Sequence, residues 1–328
     1  MDFKGIVGHE DIIRHFKSSI ELDKVSHAYI INGEVDSGKK MLAKAFATTL
    51  QCEQGGVDPC NECKSCLQAE TGNHPDIITV THEKPNMISV DEIREQVLDS
   101  ICIKPYRSKY KIYIIPDAQL MNVQAQNALL KTVEEPPEYG IIILLTSNLD
   151  KILPTVLSRC MVLNTKPIRE RDMLEHLVKH LGLSEDKAYF CLDFAQGNLG
   201  KAIKLATNDE YVQVINAVVS VLKEIQDMDV EGLAKALACI QQFKMSINDY
   251  MDLMMMWYRD VLMLKVTGNI DKLLFKGEYS TMRKQAGVLS YKAIEDKIEA
   301  IERAKKRLDV NANFDVTMEL LLLTLKEI

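Results

Sequence analysis

The chain has no apolar run near the ~20 residues that a membrane-spanning helix needs. A transmembrane role is therefore not expected. It also lacks a basic excess: 40 Lys and Arg face 47 Asp and Glu, for a net charge of −7 over 328 residues. A general nucleic-acid coat needs clustered cations against the phosphates, so that class is disfavoured. A small basic patch, or a place in an assembly whose other members hold DNA, remains compatible with this charge. The start, Met1 to Gly5, lacks the basic and apolar regions of a secretory signal, which makes a cytoplasmic location the expectation. In a reducing compartment the eight cysteines are not expected to form disulfides.

Two further absences are local and chemical. Gly33-Glu34-Val35-Asp36-Ser37-Gly38-Lys39-Lys40 follows the phosphate-loop pattern G-x-x-x-x-G-K-[ST] up to its last position. There Lys40 replaces the hydroxyl that normally holds Mg²⁺, and a protonated lysine cannot ligate a cation. The apolar run Tyr110 to Pro116 then leads into Asp117, placed for the metal role. In many such ATPases a catalytic carboxylate follows; here Ala118 does. Both defects strike the same reaction. Backbone N–H groups at the start of the following helix still make an anion site, and Lys39 still reaches phosphate, so ATP or ADP binding and a vestigial loop both stay open.

What is present alternates strands with helices in the first half. Strands are expected at 27–32, 76–81, 110–116, 140–146 and 161–163, and helices at 39–52, 89–101 and 122–134, the second opened by a Ser89–Glu92 capping box. Such alternation predicts a parallel sheet covered on both faces. After Pro167 the chain reads as helices only: 169–181, 184–195 and 199–206, then longer ones to the end. The fold class is thus α/β plus all-α, with domains at 1–166, 167–208 and 209–328. The run Tyr250 to Val266, rich in methionine, is apolar all round and reads as a buried helix, with a peptide groove as the lesser alternative.

Cys52, Cys60, Cys63 and Cys66 give C-x7-C-x2-C-x2-C. Two successive C-x2-C steps direct several sulfurs to one point, and Cys52 can close a tetrahedron. Four thiolates suit a structural Zn²⁺ with no position left for water or substrate; an iron–sulfur cluster is the rival. Cys102, Cys160, Cys191 and Cys239 are scattered and read as core residues. His9, His74 and His82 lack a ligand pattern. Lys305-Lys306-Arg307 reads as a solvated helix face.

Thr146-Ser147-Asn148 ends the fourth strand, where polar residues line the ligand crevice of a parallel sheet. An N-cap by Ser147 or Asn148 fits equally well. In Ser158-Arg159-Cys160 an arginine sits in a compact turn, suited to a neighbouring phosphate site or simply to the surface.

Together, Ile6 to His9, His27 to Tyr29, the phosphate loop, the four cysteines, Asn127 to Pro137, Thr146 to Asn148 and Ser158 to Cys160 resemble the AAA+ subunits of the bacterial DNA polymerase III clamp loader. Trp257 to Asp260 and Asn311 to Asn313 extend the likeness into a collar domain. The likeness implies an AAA+ domain with a zinc module at 52–66, a small helical lid and a C-terminal collar. The departures at Lys40 and Ala118 place it nearer the delta-prime branch than the tau/gamma motors, which keep G-K-[ST] and D-E. In that branch the Ser-Arg-Cys arginine acts in trans on a neighbouring ATP site, a role that falls on Arg159. Gly33, Gly38, Lys39, Lys40, Asp117 and Asn148 would line a degenerate nucleotide pocket, and Lys201 stands where active relatives offer an arginine. The implied partners are tau/gamma and delta subunits, with the sliding clamp and primer–template DNA met through the assembly and no membrane. A self-sufficient tau/gamma-like ATPase and a zinc-dependent DNA-binding module are the alternatives.

Overall fold

The computed structural model describes residues 2–310 and 312–327. The chain divides into two compact units, Met1–Ile203 and Lys204–Ile328. The first is built on a five-stranded, all-parallel sheet: β1 (Ala28–Asn32), β2 (Ile77–Thr79), β3 (Lys111–Ile115), β4 (Gly140–Thr146) and β5 (Met161–Asn164), in the order β2-β3-β4-β1-β5. This is the expected covered parallel sheet.

Strand alternation splits the core in two. Ile30, Tyr113, Ile115, Ile142 and Leu144 face one layer with Leu129, Val133, Ile93 and Val97. Tyr29, Ile31, Ile112, Ile114, Ile143 and Leu145 face the other with Phe16, Leu42 and Phe46. Each strand is apolar on both faces because helices cover both. Phe16 stacks on Phe46 with ring centroids 4.0 Å apart, clamping helix Glu10–Glu21 to helix Lys39–Leu50.

Some expected elements change length for local reasons. β2 spans three residues instead of the anticipated six. At its start the Asp76 carboxylate accepts from Tyr106 N (2.7 Å) and Arg107 N (3.1 Å), and beyond its end Thr81 N donates to Gln96 Oε1 (2.9 Å). The Gln96 side chain thus takes the backbone bonds of Thr81, while Asp76 O and Val80 N still bond to β3. The 89–101 helix carries the expected capping box, then widens to a π turn over Arg94–Leu98. Helices Glu170–Leu181 and Glu185–Ala195 follow the sheet, with Leu199–Thr207 spanning the point where the two units divide. The expected break near Asn208 falls one residue after that helix.

The second unit is helical throughout its described residues. Its axis, Ile247–Thr267, buries Tyr250, Met254, Trp257, Tyr258 and Val261, so the methionine-rich run is core. Trp257 Nε1 donates to Gln285 Oε1 (2.8 Å), and buried Asp260 accepts from Leu274 N (2.6 Å) and Phe275 N (3.0 Å). Asn313 caps Phe314–Lys326; Asn311 of the same motif lies outside the described residues. Lys305 pairs with Asp252, which ties part of the basic run to its own unit. Among the described residues no helix is long and apolar enough to cross a membrane.

Candidate functional site

The sulfurs of Cys52, Cys60, Cys63 and Cys66 all lie within 4.8 Å of one another. Cys52 is two residues beyond helix Lys39–Leu50, and Cys63 caps helix Lys64–Glu70 with its own sulfur. Asn61 at φ 60 makes the tight turn between them. Each early thiol receives an amide from further along the chain: Cys60 N to Cys52 Sγ (3.4 Å), Cys63 N to Cys60 Sγ (3.3 Å) and Cys66 N to Cys63 Sγ (3.4 Å). The Glu62 and Cys63 amides bring the Cys60 thiol down to about 6, while burial pushes Cys66 up. Cys60 and Cys66 sulfurs are 3.9 Å apart, close to the ~3.8 Å edge of a tetrahedron with ~2.3 Å metal–sulfur bonds. The donor set fits a metal such as zinc.

Histidines stay out of this cluster. His74 Nε2 is 2.9 Å from Ser65 Oγ and its Nδ1 accepts from Asp76 N (3.1 Å). His82 Nδ1 faces Lys84 O (2.6 Å). Lys17 bonds Asp58 (2.6 Å) and fastens the cysteine loop to helix Glu10–Glu21.

The phosphate loop lies between β1, an interior strand, and its helix, at the carboxyl edge of the sheet. Gly38 at φ 86 and Asp36 at φ 62 shape the turn. A Cβ on Gly33 would lie 1.7 Å from Thr165 Oγ1, so only glycine fits there. Lys39 turns back on its own loop, donating to Gly33 O (2.7 Å) and to Glu34 O. Burial lowers its pKa against the raising effect of Asp117, Asp36 and Glu34. Lys40 is exposed. His9, in the left-handed region at φ 60, is buried with Nε2 2.8 Å from Ser37 O, and burial lowers its pKa.

The lid segment closes directly on this loop. Asn198 Nδ2 donates to Val35 O (2.8 Å) and Glu34 Oε2 (3.3 Å), and Lys201 Nζ lies 3.7 Å from Glu34 Oε2. A Cβ on Gly200 would meet Asp36 O at 2.3 Å. Lys201 thus faces a loop carboxylate of its own chain.

Asp117 sits exposed after β3 at φ 49, with Gln119 Nε2 donating to its Oδ1 (3.3 Å). Ala118 is fully buried in the core. A carboxylate at 118 would enter apolar packing unless the turn rearranged. Asn148 Oδ1 accepts from Asp150 N (2.9 Å), the cap that the sequence left as an alternative to a crevice role. Arg159 follows helix Pro154–Leu157 on a turn before β5 and is 40% exposed; Nε meets Glu134 Oε1 at 2.9 Å, and Nη1 donates to Thr155 O (3.0 Å) and Ser158 Oγ (3.2 Å). The Glu134 contact escaped sequence reading, since only the folded sheet brings the two segments together. A cavity of about 430 Å³ opens at the opposite end of β3, where Arg107 pairs with Glu53 (3.3 Å) and Lys109 with Asp23 (2.8 Å).

The family model described as "DNA polymerase III, delta subunit" matches residues 8–169. The chain is 31% identical to the DNA polymerase III subunit delta' of Bacillus subtilis, over 96% of this chain and 95% of that protein. It is 29% identical to the subunit tau of the same organism over 93% of this chain, spanning 58% of tau. In fold it is similar to a crystal structure of a DNA polymerase III gamma subunit-related protein from Thermotoga maritima, with TM-score 0.50 and 18% identity over 96% of this chain and 99% of that one.

Proposed function

The chain belongs to the family of bacterial DNA polymerase III clamp-loader subunits, in its delta-prime branch with the AAA+ fold, and on that premise we propose that it supports ATP-driven loading of the sliding clamp onto primer–template DNA by lending Arg159 to a neighbouring ATPase subunit. The observation that carries this is an asymmetry. The chain's own loop carries Lys40 for a hydroxyl, and Ala118 is buried where a carboxylate would act. Arg159, by contrast, is exposed on a turn outside that pocket. A guanidinium spans two phosphate oxygens and stays charged, so it can stabilise charge developing on a transferred phosphoryl group next door.

In this reading the 1–166 domain and the 167–208 lid form a stator, 209–328 is the collar, and tau/gamma and delta subunits are the neighbours, all in the cytoplasm. The four cysteines hold a structural Zn²⁺ that staples residues 52–66 and has no part in the reaction. Any ATP or ADP held by the loop is kept without turnover.

The test is hydrolysis by the assembled loader. Arg159→Ala is expected to lower hydrolysis at the adjacent site by about 10³-fold or more while the complex still forms on size-exclusion chromatography. Wild-type hydrolysis and clamp loading by that variant would overturn the assignment. A second reading, a tau-like motor, draws on the strand–loop–helix setting of Lys39. It requires steady-state ATP hydrolysis by the isolated chain, where we expect none.

A further inference from the structure

We infer that Glu134 is a positioning residue for Arg159, holding the guanidinium in one orientation; the inference rests on the trans-acting reading of Arg159. Glu134 is the last residue of helix Val123–Glu134, on a different segment from the turn that carries Arg159. A guanidinium has five N–H donors in one rigid plane. Nε meets the Glu134 carboxylate at 2.9 Å, and Nη1 donates to Thr155 O and Ser158 Oγ. Nη1 is thus hydrogen-bonded on the Cδ side, and the carboxylate forms an ion pair beside Nε. Nη2 makes no hydrogen bond among the described residues. Nη2 is the nitrogen able to meet an anionic oxygen of another chain.

The pair is too exposed, at 40% and 45%, to contribute much to folding. Its effect lies in orientation. An unanchored arginine would lose rotamer freedom each time it engaged a phosphate, whereas one held by Glu134, Thr155 and Ser158 has lost it already. Donors fixed before charge develops need no reorganisation at the moment of reaction. The arrangement also suits the helix: a carboxylate at its negative end is unfavourable alone, and the Arg159 cation offsets it. Because the Glu134 carboxylate sits beside Nε and Nη1 is held by Thr155 and Ser158, Nη2 is the nitrogen left for a phosphate oxygen.

The experiment uses the assembled loader with ATP and primer–template DNA. Glu134→Ala is expected to lower kcat by about 10- to 100-fold with KM unchanged. Glu134→Gln, which keeps an acceptor oxygen, should recover most of the loss. The double variant Glu134→Ala/Arg159→Ala should be no slower than Arg159→Ala. Thermal unfolding and size-exclusion chromatography should match wild type. Wild-type kcat in Glu134→Ala, a faster kcat, or a double variant slower than Arg159→Ala each overturns the positioning role. An Arg159→Ala loader with full activity would instead remove the trans-acting reading beneath it, so the two failures are distinct.

Discussion

The four-cysteine module and the phosphate loop flank one helix, Lys39–Leu50, and they differ in what they retain. The module has a full set of donors, with sulfurs gathered within 4.8 Å and amides aimed at three of them. The loop has the backbone of an anion site, including Gly33 and the left-handed Gly38, yet it lacks the hydroxyl, and the turn after β3 buries alanine. Its lysine is engaged by its own carbonyls, and the lid rests on Glu34 and Val35. Backbone geometry and side-chain chemistry are therefore separable. A turn can persist for packing after the groups that made it reactive have gone.

The strongest way to break the comparison is to damage the intact partner. Cys60→Ser/Cys63→Ser should leave no metal on the purified chain by inductively coupled plasma mass spectrometry, against one ion per chain in the wild type. Residues 52–66 should then be cut readily by protease, since thiolate zinc sites of this type contribute on the order of 10 kcal/mol. Next in size is the shared helix. Phe46→Ala removes the stacking partner of Phe16 in a fully buried position, and a loss of about 3–5 kcal/mol is expected in denaturant unfolding.

Repairing the weak partner sharpens the contrast. Lys40→Ser should strengthen Mg²⁺-dependent nucleotide binding by about tenfold in calorimetry, still without hydrolysis, because Ala118 supplies no carboxylate. Turnover by that variant would show that the hydroxyl was the sole defect. The smallest effect concerns His9. Burial lowers its pKa, so the unfolded chain binds the proton more readily than the folded one. Stability is unaffected by this group above about 6.5 and falls as pH drops below it. His9→Gln should reduce that slope in chemical unfolding run at several pH values.

The parallel sheet, the cysteine cluster and the degenerate loop were legible in the sequence because each rests on residue type at short spacing. Other features were not. Helix Glu10–Glu21 carries Ile12, Phe16 and Ile20 at helical spacing, but its cap, His9, is left-handed with no capping side-chain bond, so the usual start signal is missing. Helix Lys64–Glu70 begins on a cysteine sulfur, outside the ordinary set of caps. β2 stops short of Thr81, whose N–H and C=O are both bonded to the Gln96 side chain. The anchoring of Arg159 by Glu134 depends on where the helix before β4 ends, which no local pattern states. Asn148 could be read locally as a cap or as a crevice residue, and its bond to Asp150 is the cap's.

The helix that joins the two regions has a consequence for how motion is distributed. It has 12 residues, about 18 Å at 1.5 Å per residue, with Lys39 at one end and Cys52 two residues past the other. An ion held by Cys52 would stop the last turn from fraying. Thr48 and Thr49 already bond back to Lys44 and Ala45. Slow amide exchange at residues 47–52 should then follow metal content, while exchange at 39–42 follows the lid, so deuterium uptake along one helix would gauge both ends of the domain separately.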